Sequence, residues 1–149
     1  MNISLHPYSE QFLEKSWNWL NDPEIKHLTN TGDFSREQQQ KWFQSLPTLQ
    51  DYRLWGVMID DEPAGVFGLK KIENGSAEYW GYIGEKKYWG KGYGKLIMGL
   101  IFDEAQLLGL TRLWLRVIKA NPRAIKLYEK VGFSIIEDGE DFYIMQKNI

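Results

Sequence analysis

The chain of 149 residues contains no cysteine. That excludes disulfides, a thiolate nucleophile and cysteine-ligated zinc. It suits a reducing compartment, and a cytoplasmic location is the expectation. Only two histidines are present, His6 and His27. They are too few and too separated for a histidine metal site, so no metal is expected. No apolar run approaches the roughly 20 residues that cross a bilayer. The polar N-terminus also lacks the apolar core of a signal peptide, so no membrane partner is expected. The net charge is only −2, so bulk charge argues for neither nucleic acid nor an anionic membrane. Two familiar phosphate-binding loops are missing as well. A Walker A loop fails because Gly94-Lys95 is followed by Leu96. G-x-G-x-x-G fails because Gly90-x-Gly92 runs on to Lys95, and Gly92-x-Gly94 runs on to Ile97.

What the chain does have is aromatic residues, a glycine cluster and clear periodicity. It holds seven Trp, eight Tyr and seven Phe, enough to build a core and to line a cleft. Its length fits a single domain spanning 1–149. Ile3–His6 alternates and reads as a strand. Ser9 is placed to cap a helix carrying Phe12, Leu13, Trp17 and Leu20. Asn21-Asp22-Pro23 stops it, and Glu24 to Gly32 reads as irregular with at most one helical turn. Ser35-Arg-Glu-Gln38 is a capping box opening a second helix with Trp42, Phe43 and Leu46 on one face. Core packing is the favoured account of Trp17, Trp19, Trp42 and Phe43.

From Arg53 the pattern changes to strands. Arg53–Asp60, Ala64–Ile72 and Ala77–Ile83 form an antiparallel meander, with Asn74-Gly75 as a hairpin turn. A long helix starts at Gly92 or Tyr93 with Leu96, Ile97, Leu100, Ile101, Ala105 and Leu108 as its apolar stripe, and Gly109 ends it. Arg112–Ile118 is a strand. Asn121-Pro122 opens a helix that Gly132 closes, and Phe133–Glu137 and Phe142–Gln146 are the last strands. The fold class is α/β, a mixed and mostly antiparallel central sheet flanked by helices, in the order β-α-α-β-β-β-α-β-α-β-β.

The chain is organised around Tyr88-Trp89-Gly90-Lys91-Gly92-Tyr93-Gly94-Lys95. Glycines let backbone N–H groups approach a ligand. A helix starting there adds unpaired donors and the positive end of its dipole. Together these attract a phosphate or pyrophosphate. A ligand-free glycine turn is the plainer alternative.

Three features make the chain resemble the GNAT (GCN5-related) N-acetyltransferase superfamily. The first is the loop itself, at the place of an Arg/Gln-x-x-Gly-x-Gly/Ala signature. Here the segment is Trp89-Gly-Lys-Gly92-Tyr-Gly94, with Trp89 at the Arg/Gln position. The second is Asn121-Pro-Arg-Ala-Ile-Lys-Leu-Tyr128-Glu-Lys-Val-Gly132-Phe133, and the third is Ala77-Glu78 on the strand before the loop. The branch with Trp-Gly-Lys-Gly-Tyr at this point includes ribosomal-protein acetyltransferases. The resemblance spans essentially the whole chain.

The resemblance implies acetyl-CoA as cosubstrate and direct attack of an amine on its thioester. Gly90, Lys91, Gly92, Tyr93, Gly94 and Lys95 would hold the pyrophosphate, largely through main-chain N–H groups, although the Lys91 and Lys95 side chains also read as solvated. Tyr82 and Ile83 would hold the pantetheine arm. Asn121 would reach the cofactor, or serve only as a helix cap. Tyr128 matches the general acid; the plainer reading is one more aromatic on an amphipathic helix. Glu78 is the candidate base, against a solvated cross-strand charge, with Glu85 as runner-up. Alternation puts Glu78, Trp80 and Tyr82 on one face of their strand.

Trp19–Ile25 with Ser35 and Trp42-Phe43 resembles acetyltransferases of nucleotide-linked amino sugars, and also those of ribosomal-protein N-termini. The expected partner is a small-molecule amine: an amino sugar, a nucleotide-linked amino sugar or a polyamine-like amine. A protein N-terminal acetyltransferase and a CoA-binding module without turnover are the alternatives. A homodimer is compatible with this sequence.

Overall fold

The computed structural model describes residues 2–149. Seven strands form one sheet: β1 (Ile3–Pro7), β2 (Arg53–Ile59), β3 (Glu62–Glu73), β4 (Ser76–Ile83), β5 (Arg112–Ile118), β6 (Ser134–Asp138) and β7 (Phe142–Asn148). Their spatial order is β1-β2-β3-β4-β5-β7-β6. Every neighbouring pair is antiparallel except β4 and β5. Five α-helices surround it: α1 (Glu10–Asn21), α2 (Pro23–Leu28), α3 (Arg36–Ser45), α4 (Tyr93–Leu107) and α5 (Pro122–Lys130).

The strand period of two divides the side chains between two layers. Val57, Ile59, Phe67, Leu69, Ala77, Tyr79, Leu113 and Leu115 face α4, which buries Tyr93, Ile97, Met98, Ile101 and Ala105 against them. Ala124, Ile125, Leu127 and Tyr128 of α5 pack on the same cluster. The opposite face carries Val66, Leu54, Trp80 and Tyr82 against Trp19, Leu20 and Ile25 of α1 and α2.

The anticipated order is present with one more helix. Pro23–Leu28 is a helix of six residues, longer than the single turn allowed for it, and residues 29–32 are irregular as expected. Asp22 caps it by accepting from the N–H groups of Glu24 (3.0 Å) and Ile25 (3.2 Å), with Pro23 at the first turn. The same Asp-Pro pair that ends one helix therefore starts the next. Ser9 occupies the N-cap position of α1, but its side chain makes no cap bond. Ser35 makes both bonds of its capping box.

Two apolar faces are rotated from the sequence expectation. In α1 the buried residues are Phe12, Leu13, Ser16 and Trp19, while Trp17 stands half-buried against Phe34. In α4, Leu96 is exposed and Met98 takes a core place, and Leu108, the residue after the helix, is exposed too. Helix α4 starts with a buried Tyr93, and residues four, five, eight and twelve positions on fall beneath it.

Candidate active site

Strand β4 builds the site because it parts from β5. Only Ser76, Ala77 and Glu78 pair with β5, opposite Arg112, Leu113 and Trp114. Beyond that rung β4 continues along β3 as far as Ile83, while β5 continues along β7. The Gly84 N–H bonds the Ala64 carbonyl at 2.7 Å. By the alternation of an antiparallel ladder, Tyr82, Trp80 and Glu78 also turn their backbone groups toward β3. The backbone groups of Tyr79, Gly81 and Ile83 face the gap. The expectation for Tyr82 is thereby corrected at its main chain, which is committed to β3. Tyr79 and Gly81 were missed, although counting back by twos from Ile83 identifies them.

The glycine loop follows. Gly90 (φ 71°) and Gly92 (φ 84°) both take left-handed backbone, and Gly92 is the N-cap of α4. No side chain caps this helix, so the N–H groups of Tyr93, Gly94 and Lys95 open the first turn without a capping acceptor. A Cβ at Gly90 or Gly92 would meet nothing within 4 Å. An open cradle of N–H donors at a helix N-terminus fits a pyrophosphate. Lys91 and Lys95 are exposed beside it. The Tyr93 ring is buried edge-on against Tyr88 at 5.3 Å, so this residue can offer the loop only its backbone.

Trp89, at the position where an Arg or Gln is usual, has a specific structural role. Its indole Nε1 donates to the Ile83 carbonyl at 2.8 Å. The ring packs on the Trp19–Ile25 cluster and ties the loop to the end of β4. The Ile83 carbonyl is thus occupied, and its N–H remains toward the gap.

Tyr128 of α5 reaches β4 on the α4 side. Its ring lies edge-on to Tyr79 at 5.9 Å and to Phe133 at 6.0 Å. Burial pushes its hydroxyl up to about 12, partly offset by the Tyr79 hydroxyl. At neutral pH it is a protonated phenol. Burial also raises the Tyr79 hydroxyl well above its ordinary value.

The other face of β4 carries Glu78, Trp80 and Tyr82. Glu78 is 8% exposed, and Lys71 Nζ lies 3.3 Å from its Oε1. Among the described residues, three buried side-chain polar atoms lack a hydrogen bond: Glu78 Oε1, Trp80 Nε1 and Tyr82 OH. All three stand at alternate positions on this one face. Hydroxyls border it: Tyr8 OH meets Ser16 Oγ at 3.1 Å. Tyr8 and Tyr52 are both pushed up to about 12 by burial.

Glu85 is separate from this group. Its Oε1 accepts from Trp19 Nε1 at 3.3 Å. It lines an open cleft of about 430 Å³ between α1, α2 and residues 84–87. Close by, Lys86 holds Asp22 at 2.9 Å and Glu24 at 3.0 Å, and that hydrogen bond keeps the Asp22 carboxyl below its usual value. Asn121 is committed as a cap. Its Oδ1 accepts from the Ala124 N–H at 3.3 Å, and its Nδ2 donates to the Leu28 carbonyl at 3.5 Å. It joins α5 to the end of α2.

A sheet that opens beside a glycine-capped helix makes a cleft with a cradle of N–H donors at one end. Residues 13–133 match the profile of the Acetyltransferase (GNAT) family, and the chain belongs to that family. It is thus an N-acetyltransferase by class, with acetyl-CoA as its acetyl donor. Acetyltransferase PseH of Campylobacter jejuni is 28% identical over 145 residues, covering 95% of this chain and 90% of the relative. The structure of Campylobacter jejuni PseH with acetyl coenzyme A superposes with a TM-score of 0.77 at 24% identity, over 99% of both chains. A spermidine N-acetyltransferase from Vibrio cholerae, solved with CoA and spermine, gives a TM-score of 0.87 at 21% identity, over 98% of this chain and 95% of that one. A ribosomal protein bS18-alanine N-acetyltransferase of Haemophilus ducreyi is 36% identical over 55 residues, 37% of this chain and 38% of the relative.

Proposed function

We propose that this chain transfers the acetyl group of acetyl-CoA to the primary amine of a small molecule, with an amino sugar, free or nucleotide-linked, as the first candidate. The observation that carries the reading is the parting of β4 from β5 directly before the left-handed loop. There a protonated phenol (Tyr128) stands on one side of β4 and a buried carboxylate (Glu78) on the other.

Acetyl-CoA supplies an activated acyl group as a thioester. The N–H groups opening α4, with Gly90 and Gly92, hold its pyrophosphate, and Lys91 and Lys95 add positive charge. The N–H groups of Tyr79, Gly81 and Ile83 line the gap for the pantetheine arm and for the negative charge that develops on the carbonyl oxygen. An amine must lose a proton before attack, since a lysine-like amine has a pKa of about 10.4. Glu78 takes that proton, directly or through water. Tyr128 gives its proton to the departing sulfur.

The acceptor face supports the substrate class. It offers one buried carboxylate among hydroxyl and indole groups (Tyr8, Ser16, Tyr52, Trp80, Tyr82), which suits one ammonium on a hydroxyl-rich body. A polyamine calls for several acids along its length. The test is acetyl-CoA consumption across amino sugars, nucleotide-linked amino sugars, polyamines and ribosomal-protein N-terminal peptides. Fastest turnover on an amino sugar is expected. A clear preference for peptides would replace this reading with the protein N-terminal one, and saturable acetyl-CoA binding without turnover on any class would leave a CoA-binding module.

A further inference from the structure

Strand β3 carries an irregularity whose chemistry the site does not use. Its ladder with β4 is regular as far as Lys70 opposite Glu78, then shifts before Glu73 opposite Ser76. Residues facing each other across a ladder share a face, so Lys70 lies on the Glu78 side and strict alternation would send Lys71 to the other. Lys71 instead takes a left-handed backbone, φ 53°, uncommon for a residue with a side chain. The irregularity turns it back over β4, where its ammonium stands 3.3 Å from Glu78 Oε1.

That ammonium also lies over the Trp114 ring, 5.3 Å from its centre. Trp114 faces Glu78 across the last rung before β4 and β5 part. Among the ion pairs of the described residues, the other lysines meet acids whose side chains are 32% to 96% exposed, whereas the Glu78 side chain is 10% exposed. A primary amine of this chain therefore stands on the carboxylate of the acceptor face, at the mouth of the gap. In an enzyme that acetylates primary amines, this is a substrate amine supplied in cis.

We infer that Lys71 is a self-acetylation site, modified from acetyl-CoA when no external acceptor is bound. The inference rests on the reading of Glu78 and Tyr128 given above. The Lys71 ammonium gives a proton to Glu78 and becomes nucleophilic. Its nitrogen bonds to the thioester carbon, and the carbon–sulfur bond breaks. Of the two protons the nitrogen loses, one leaves to solvent by way of Glu78. The other balances the proton that Tyr128 delivers to the sulfur. The products are Nε-acetyl-Lys71, CoA thiol and one released proton. The neutral amide no longer pairs with Glu78.

The experiment incubates the full chain with trideuteroacetyl-CoA and no acceptor, and maps the label by mass spectrometry of Glu-C peptides. Expected is label at Lys71 at least tenfold faster than at the exposed Lys41 and Lys130. The rate per chain should not depend on chain concentration, and Tyr128→Phe should slow it. Label at Lys71 no faster than at Lys41 and Lys130, or a rate per chain that rises with chain concentration, overturns the inference. Calorimetry with acetyl-CoA on the same preparation, and on Lys71→Arg, which keeps a cation on Glu78, separates the two readings. Normal binding with Lys71 unlabelled removes only this inference. No binding by either protein removes this inference and the cosubstrate reading together.

Discussion

Tyr128 and Trp89 show how one side chain draws its role from its surroundings. A phenol ordinarily ionises near 10, and the apolar packing of Tyr128 moves that up to about 12. The hydroxyl is therefore protonated at neutral pH, as an ordinary phenol already is, and burial extends that state to higher pH. Tyr128→Phe keeps the ring packing on Tyr79 and Phe133 and removes the donor. Turnover should fall about a hundredfold, as for loss of a general acid, with acetyl-CoA affinity nearly unchanged. Steady-state kinetics beside calorimetry checks this, and unchanged turnover on a good acceptor would dismiss Tyr128 as the acid. For Trp89, the bond from its indole to Ile83 is the quantity at stake. Trp89→Phe leaves that carbonyl without its partner, at about 1–3 kcal/mol. Its melting temperature should drop by several degrees, and acetyl-CoA should bind more weakly because the loop is no longer tied to β4. An unaltered melting curve would mean that the indole bond does not hold the loop.

Among the elements, the junction of β4 and α4 carries the proposed pyrophosphate site. The two left-handed glycines make a sharp turn that ends with helix N–H groups facing outward. A Cβ at Gly92 meets no protein atom within 4 Å, so Gly92→Ala is charged only with backbone strain, about 1–2 kcal/mol. The methyl would, however, enter the cradle itself. Acetyl-CoA affinity should fall by about tenfold or more, equivalent to at least roughly 1.4 kcal/mol, beyond the effect on stability. Parallel titration and thermal melts distinguish these effects; equal affinity in the variant would mean the pyrophosphate lies elsewhere. Helix α2 carries a second lesson. Asp22-Pro23 was legible as a stop for α1, and the same two residues fit a cap and a first-turn proline. A helix of six residues has too little periodicity to be recognised without its cap.

For the whole molecule, the aromatic layers set the response to alkali. Tyr8, Tyr52 and Tyr128 each ionise near 10 when the chain is unfolded and hold their protons up to about 12 when folded. Burial shifts Tyr79 and Tyr82 in the same direction. Between those values the folded chain binds more protons than the unfolded one, so stability falls as pH rises. Below pH 10 this contribution is fully present, and it disappears as pH passes through about 12. Chemical denaturation at a series of pH values should show the unfolding midpoint declining across that window. Tyrosinate absorbance should rise together with loss of structure. A midpoint flat across the window would show that these hydroxyls are solvated.

Tyr128 and Glu78 stand out as acid and base candidates with the help of the family resemblance; by itself the sequence determined the order of strands and long helices and the place of the glycine turn. Those depend on local rules: period two or three to four, caps, left-handed turns and short motifs. Tertiary structure decided where β4 leaves β5, which fixed the backbone groups that face the gap and removed Tyr82 from that set. It also decided that Trp89 serves as a clasp and that Asn121 caps α5 while reaching Leu28. The exposed side of α4 at Leu96, and the turn of Lys71 onto Glu78, were decided in the same way. Each depends on a neighbour distant in sequence, through a ladder register, a packed ring or an ion pair. Chain periodicity carries no record of such partners.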